Sequence, residues 1–134
     1  MDPAVQPVAG FDVVARPDEN LNDLLAAAAV LVTDYSSSLF EWVLLHRPLV
    51  LAVGDLEAYE RDPGLYLDLR TELVGDLVRD TDAAAAAIVA GRVDHAAWDA
   101  FIAANMGACD GHAAERIVEI VGESFERRRI FRAV

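Results

Sequence analysis

The residues VLVTDYSSSLFEW, at positions 30–42, decide the fold of this chain. The β-branched run Val30–Thr33 is typical of a short buried strand. It stops at an Asp-Tyr-Ser-Ser-Ser cluster, and an apolar segment with helical spacing begins at once. A strand, a tight polar turn and a helix start therefore follow one another directly. This arrangement presents backbone N–H groups and short hydroxyls to an anion.

One carboxylate beyond the turn indicates that the anion could be part of a nucleotide. Glu41 lies one to two helical turns beyond the polar turn, where it could reach the ribose hydroxyls of a nucleotide whose phosphates occupy the turn. A second interpretation stays open. In it, Ser36 or Ser37 only caps the helix, and Glu41 is a solvated surface residue.

Length and charge limit the classes of protein to which the chain can belong. With 134 residues it is one domain or part of one. Its formal net charge of −12 argues against a nucleic-acid partner, because no basic stripe exists to displace counterions. It also means that local N–H groups, and not a general positive field, would hold a phosphate.

The composition favours a cytoplasmic protein. The longest apolar run, residues 24–32, is about half of the ~20 residues that a membrane span needs, and we expect no signal peptide. The single cysteine, Cys109, fits a reducing compartment. The basic cluster at Arg127–Arg129 and Arg132 either complements its own helix dipole or contacts an anionic membrane, which would make the protein peripheral on the inner face of the membrane.

The periodicity predicts strands that alternate with helices after a poorly ordered lead-in at residues 1–10. We expect strands at 11–15, 30–33, 49–53 and 77–78, and helices at about 20–28, 37–46, 81–91, 95–105 and 111–129. We expect Thr81 or Asp82 to cap the third of these helices. Such alternation indicates an α/β fold with a parallel sheet of three to four strands flanked by helices. Residues 54–75 form an aromatic and charged connection whose length suggests a functional loop.

Several spaced elements in this order resemble one known family. They are Thr33–Ser37, Phe40-Glu41, Arg47-Pro48, Asp55-Leu56 with Tyr59, Gly64 with Tyr66 and Asp68, and Leu73 with Gly75. Over roughly residues 20–122 the chain is similar to the C-terminal part of the CDP-glycerol glycerophosphotransferases, the teichoic-acid polymerases and primases. The resemblance implies that residues 11–134 are part of the C-terminal Rossmann-like domain of a GT-B transferase, which binds the donor.

The same resemblance implies a donor, an acceptor and a set of site residues. The donor is CDP-glycerol, and glycerol phosphate passes to a polyol-phosphate or lipid-linked acceptor held by an amino-terminal domain. Neither a cofactor nor a metal is implied. In this interpretation Ser36 and Ser37 hold the diphosphate, Glu41 holds the ribose, and Thr33 and Asp34 shape the turn. Residues of the 54–75 loop line the donor pocket, namely Tyr59, Arg61, Tyr66 and Asp68.

Some of these roles have structural alternatives. Asp34 either contributes to binding or hydrogen-bonds the turn itself, and the two tyrosines either line the pocket or pack under the loop. Pro63 stands where the family usually has arginine, Val74 where it has proline and Ala29 where it often has aspartate. Losing that arginine removes a charge-assisted contact to phosphate.

The catalytic residues stay unassigned. The family's catalytic histidine motifs lie upstream of the matched region, and His46, His95 and His112 do not match them. We therefore expect the chain alone to be inactive. A non-catalytic nucleotide-binding module and a UDP-sugar-dependent GT-B glycosyltransferase fragment are the alternative functions.

Overall fold

A computed structural model describes residues 9–131 of the chain, with side chains up to residue 125. Within that range three strands and six helices follow one another along the chain. In order, they are α1 (Leu21–Ala27), β1 (Leu31–Thr33), α2 (Ser38–Val43), β2 (Leu49–Ala52), α3 (Leu56–Arg61), β3 (Asp76–Val78), α4 (Thr81–Ala90), α5 (His95–Asn105) and α6 (Ala113–Phe131).

The three strands form one parallel sheet in the order β1-β2-β3. Leu31 is in register with Leu49, and Leu51 with Leu77. The central strand β2 is covered on both faces, as its continuous apolar sequence predicts, and its first three residues are each 1% exposed. The predicted α/β class with a small parallel sheet is therefore confirmed.

The core has two parts, one on each face of the sheet. The larger part contains Leu49 and Leu51 together with Trp42 of α2 and Trp98 and Phe101 of α5. The smaller part joins Val50 and Val78 to Ala87 of α4. Alternate residues of β2 thus point into different halves of the core.

Side-chain caps start three of the helices. Asn20 accepts from the N–H of Asn22 as predicted for α1, and Asp94 accepts from Ala97 at the start of α5. The predicted cap of α4 was wrong by one position. Asp80, in extended conformation, accepts from the N–H of Ala83, while Thr81 already belongs to the helix.

The helix α2 is shorter than the predicted 37–46 segment. It ends at Val43, and His46 has a left-handed φ of 50°, which closes the turn before Arg47-Pro48. The guanidinium of Arg47 then donates to the carbonyls of Ala26 and Ala28 at 2.8 and 2.6 Å. Arg47 therefore satisfies the last carbonyls of α1.

Two other predictions need correction. Residues 11–15 form no strand, and Phe11 and Val13 are exposed because neither a neighbouring strand nor a helix covers them. The 54–75 connection contains a helix, α3, which buries Leu56 completely. Residues 1–8 of the predicted lead-in lie outside the described residues, as do the side chains of the basic cluster at 127–129 and residue 132.

The last helix leaves its apolar side exposed. The sequence predicts an apolar side of this helix at Ile117, Val118, Ile120 and Val121, and all four are exposed, as is Phe125. Among residues 9–131, no helix combines the length and the apolar character that crossing a membrane requires.

Candidate functional site

A cleft with a volume of about 240 Å³ lies beside the turn that follows β1. One side of this cleft is the 34–37 turn itself, and the start of α2 adds Leu39 and Phe40. The opposite side is the segment 65–69, in which Leu65, Leu67 and Leu69 form what we call the leucine wall. The site therefore combines a polar turn with a mostly apolar wall.

The serines of the turn differ in how they are bonded. Ser36 Oγ accepts from the N–H of Ser38 at 3.2 Å and lies 2.8 Å from the Ser38 hydroxyl. Ser37 is the N-cap residue of α2, but its side chain makes no capping hydrogen bond and is exposed. In the backbone hydrogen bonds found among residues 9–131, neither Ser36 nor Ser37 donates its N–H. The turn thus offers two N–H groups and an uncommitted hydroxyl.

Of the five predicted nucleotide ligands, three line the cleft: Asp34, Ser36 and Ser37. Thr33 ends β1 in register with Leu51 and is not part of the lining. Glu41 is exposed and lies outside the lining. Its spacing of four residues from Ser37 places it on the same side of the helix, one turn further on.

The four predicted loop residues separate into different environments. Tyr66 lines the cleft and is fully exposed, so it does not pack under the loop. Tyr59 is half-buried against Tyr35 outside the cleft lining. Arg61 donates to the carbonyl of Glu57 within α3. Asp68 accepts from the N–H of Arg70, and this hydrogen bond lowers the pKa of its carboxyl.

Tyr35 has no role predicted from the sequence, and the structure places it at the carboxyl edge of the sheet, just beyond β1. Its hydroxyl donates to Asp55 at 2.8 Å, and its ring stacks on Tyr59. Desolvation, together with the bond to Asp55, raises the pKa of Tyr35 to about 12. The available signal was that Tyr35 and Asp55 each lie within three residues of the carboxyl end of a strand in a parallel sheet.

An ion-pair cluster connects α3 to the segments on either side of β3. Glu57 accepts from Arg79 at 2.6 and 2.8 Å, and Arg70 pairs with Glu57 and Glu60. The hydrogen bond from Arg79 is the main cause that lowers the pKa of Glu57 to about 2. The cluster is exposed, so each of its ion pairs contributes little to stability on its own.

The arginine side chains described in residues 9–125 share one property: each is already paired with or hydrogen-bonded to an oxygen. Carboxylates pair with five of them and backbone carbonyls accept from the other two, and the full set is Arg16, Arg47, Arg61, Arg70, Arg79, Arg92 and Arg116.

The Glu57–Arg79 pair predicts a specific pH dependence of stability. Because the pKa of Glu57 is lowered on folding, its contribution is complete above about pH 4.5 and is lost as the pH falls towards 2. We expect the free energy of unfolding to fall across this window, and to fall less in Arg79→Gln. Urea unfolding at a series of pH values measures this. Arg61→Gln is the control, since Arg61 donates to a carbonyl, and an equal slope in Arg79→Gln and wild type would contradict the prediction.

A second cavity, of about 440 Å³, lies between residues 67–74 and one side of α5. None of the predicted nucleotide ligands lines it. Among residues 9–131 no three His, Cys, Asp or Glu side chains come together as metal ligands. The cleft at the 34–37 turn is therefore the candidate site.

This chain belongs to the CDP-glycerol:poly(glycerophosphate) glycerophosphotransferase family, whose model matches residues 4–123. The family resemblance expected from the sequence is therefore confirmed.

Curated relatives are longer proteins. The chain is 32% identical over 99 residues to a teichoic acid poly(ribitol-phosphate) polymerase of Bacillus spizizenii. This alignment covers 74% of this chain and 16% of the relative. The chain is 35% identical over 77 residues to a teichoic acid poly(glycerol phosphate) polymerase of Bacillus subtilis, covering 57% and 10%. A teichoic acid ribitol-phosphate primase of Bacillus spizizenii is 31% identical over 106 residues, covering 76% and 26%.

A solved structure gives the same fold. A variant of the wall teichoic acid polymerase TagF matches with a TM-score of 0.59 and 22% identity, over 79% of this chain and 27% of that chain. At this identity the match is evidence of a shared fold alone. It confirms the expected likeness to part of a GT-B transferase.

Proposed function

We propose that this chain is the donor-binding part of a CDP-glycerol-dependent glycerophosphotransferase of teichoic-acid type. The observation that carries the proposal is the cleft at the 34–37 turn, in a chain of this family. The turn supplies hydrogen-bond donors, and the leucine wall supplies an apolar surface for the rest of the ligand.

The roles of the cleft residues follow from their chemistry. The N–H groups of Ser36 and Ser37 and the Ser37 hydroxyl donate to the diphosphate of CDP-glycerol, and Glu41 accepts from the ribose. Tyr66 presents an exposed ring at the rim, where a base can stack. Asp34 has the same charge sign as the diphosphate, so we assign it no contact with the phosphate.

The reaction would be phosphoryl transfer, in which positioning and charge stabilisation supply most of the acceleration. A hydroxyl of the acceptor attacks the phosphorus that carries glycerol, the bond from that phosphorus to the CMP oxygen breaks, and CMP leaves. This chain would bind the CMP part of the donor and its diphosphate. No residue of this chain is assigned as the base that takes the proton of the acceptor hydroxyl.

The acceptor and the cellular location belong to the same proposal. A polyol-phosphate chain or its lipid-linked primer would be the acceptor, bound by a further domain. A protein that extends such a chain would work in the cytoplasm at the inner face of the membrane.

Calorimetric titration of the 134-residue chain with CDP tests the proposal. We expect Ser37→Ala to raise the Kd for CDP by roughly tenfold or more, since a hydrogen bond to a charged oxygen contributes about 1.5–3 kcal/mol. Ser36→Ala keeps the backbone N–H and should weaken CDP binding less, through loss of the bond that Ser36 Oγ accepts from the N–H of Ser38. Ser37→Ala is the cleaner variant, because Ser36 also accepts from Ser38. Glu41→Ala is expected to weaken CDP binding because the carboxylate that accepts from the ribose is lost.

Two controls make the result specific. Ser124→Ala removes a hydroxyl that bonds to Ile120 on α6 and should leave the Kd unchanged. Asp34→Asn removes the like charge at nearly constant volume and should not weaken binding. Unchanged affinity in Ser36→Ala, Ser37→Ala and Glu41→Ala alike, or tighter binding of UDP-sugars than of CDP-glycerol, would contradict the proposal.

A further inference from the structure

Three side chains from three different segments meet beside the 34–37 turn. The hydroxyl of Tyr35 donates to Asp55 Oδ1 at 2.8 Å. The rings of Tyr35 and Tyr59 stack with their centroids 3.6 Å apart and their planes 14° from parallel. Tyr35 follows β1, Asp55 follows β2, and Tyr59 lies on α3. The contacts therefore join the turn to the next strand–helix unit.

The other hydrogen bonds of the turn are local. Ser36 Oγ accepts from the N–H of Ser38 at 3.2 Å, and the carbonyls of Ser36 and Ser37 accept from Leu39 and Phe40 at 3.3 and 3.0 Å. They join the turn only to α2, which has six residues, too few for a helix that is stable alone. Among the side-chain hydrogen bonds found in residues 9–131, the bond from Tyr35 to Asp55 is the one that connects this turn to another element.

The support behind Tyr35 is itself fixed. Asp55 is the N-cap residue of α3 but makes no capping bond, so its carboxylate is free to accept from Tyr35. In the first turn of α3, Glu57 accepts two hydrogen bonds from Arg79, which follows β3. The position of the turn is thereby tied to the carboxyl ends of all three strands.

We propose that Tyr35 is a positioning residue that sets the distance between the serines of the turn and the leucine wall of the cleft. This inference rests on the function proposed above. Tyr35 lines the cleft beside Ser36 and Ser37, one face of its ring is covered by Tyr59, and its hydroxyl is used by Asp55. Its contribution under this proposal is the placement of Ser36 and Ser37, which follow it directly in the turn. A turn held in the binding geometry loses less freedom when the ligand binds.

The first test measures affinity. Tyr35→Phe keeps the ring and removes the donor, and we expect it to raise the Kd for CDP about threefold to tenfold. Asp55→Ala should have the same effect, and the double variant should match either single variant, because all three lose one interaction. Asp82→Ala, an exposed acid on α4, is the control. A wild-type Kd in Tyr35→Phe, or additive effects in the double variant, would overturn the inference.

The second test needs no ligand. Nuclear magnetic resonance relaxation of the free chain gives order parameters for the amides of Ser36 and Ser37, which we expect near ~0.85 in wild type and lower in Tyr35→Phe and Asp55→Ala. Absorbance of tyrosinate should show the pKa of Tyr35 moving from about 12 towards its ordinary value in Asp55→Ala.

These readouts separate the two proposals. Unchanged order parameters at the serines overturn the positioning role, whether or not CDP binds. If wild type fails to bind CDP while the order falls in both variants, the donor-binding function is wrong and the positioning role stands.

Discussion

Trp42→Ala is expected to lower the free energy of unfolding by about 3–5 kcal/mol, the usual range for removing a fully buried aromatic side chain. Trp42 is 0% exposed, and its Nε1–H donates to the carbonyls of Arg47 and Pro48 at 3.2 and 3.1 Å. It therefore ties α2 to the turn that leads into β2. Since a domain of this size is stable by only about 5–15 kcal/mol, the variant should be partly unfolded at 37 °C.

A matched pair of tryptophans separates packing from hydrogen bonding. Trp98 is 2% exposed, but its Nε1–H finds no acceptor among residues 9–131. Trp42→Phe loses volume and two hydrogen bonds, whereas Trp98→Phe loses volume and relieves an unsatisfied donor. We expect Trp98→Phe to be clearly less destabilising in urea unfolding followed by circular dichroism. Equal losses in the two phenylalanine variants would contradict this explanation.

Gly75→Ala is expected to destabilise the chain by about 2–5 kcal/mol, the sum of backbone strain and overpacking. Gly75 has a φ of +106°, which L-residues rarely adopt. A Cβ built at this position would lie 2.7 Å from the carbonyl oxygen of Leu49 and 3.0 Å from its Cβ. Leu49 is a buried residue of the central strand and cannot move away.

The control for this prediction is another glycine-to-alanine change. Gly122 lies on α6, where an added Cβ meets no atom within 4 Å, and alanine should stabilise the helix by about 0.5–1 kcal/mol. Thermal unfolding of both variants checks the contrast. A Gly75→Ala variant that melts with wild type would show that the start of β3 tolerates a side chain.

The sheet could be predicted because its signals are local. The continuous apolar run at Leu49–Ala52, the β-branched run before Asp34 and the cap at Asn20 each act within a few residues. Residues 11–15 have a strand-like composition, yet a strand also needs a neighbour and a surface to cover it. The sequence does not show that these are missing.

The candidate site likewise contains residues that local sequence predicts and residues that only the fold brings together. The serines of the 34–37 turn could be predicted because the turn directly follows a strand. Tyr35 and Tyr59 meet because β1 and β2 are neighbours, and no local pattern connects residues so far apart in sequence. The helix α3 was not predicted because it has only six residues and Pro63 lies two residues beyond its end. Asp55 and the buried Leu56 nevertheless mark its start.

The pairing of the arginines bears on the proposed donor site. Within residues 9–125, where side chains are described, every guanidinium is already paired with a carboxylate or donates to a carbonyl. Under the proposed function, a diphosphate would share any such guanidinium with the oxygen that it already contacts. The acids of this strongly acidic chain would then compete with the ligand for these cations and weaken their attraction for a phosphate.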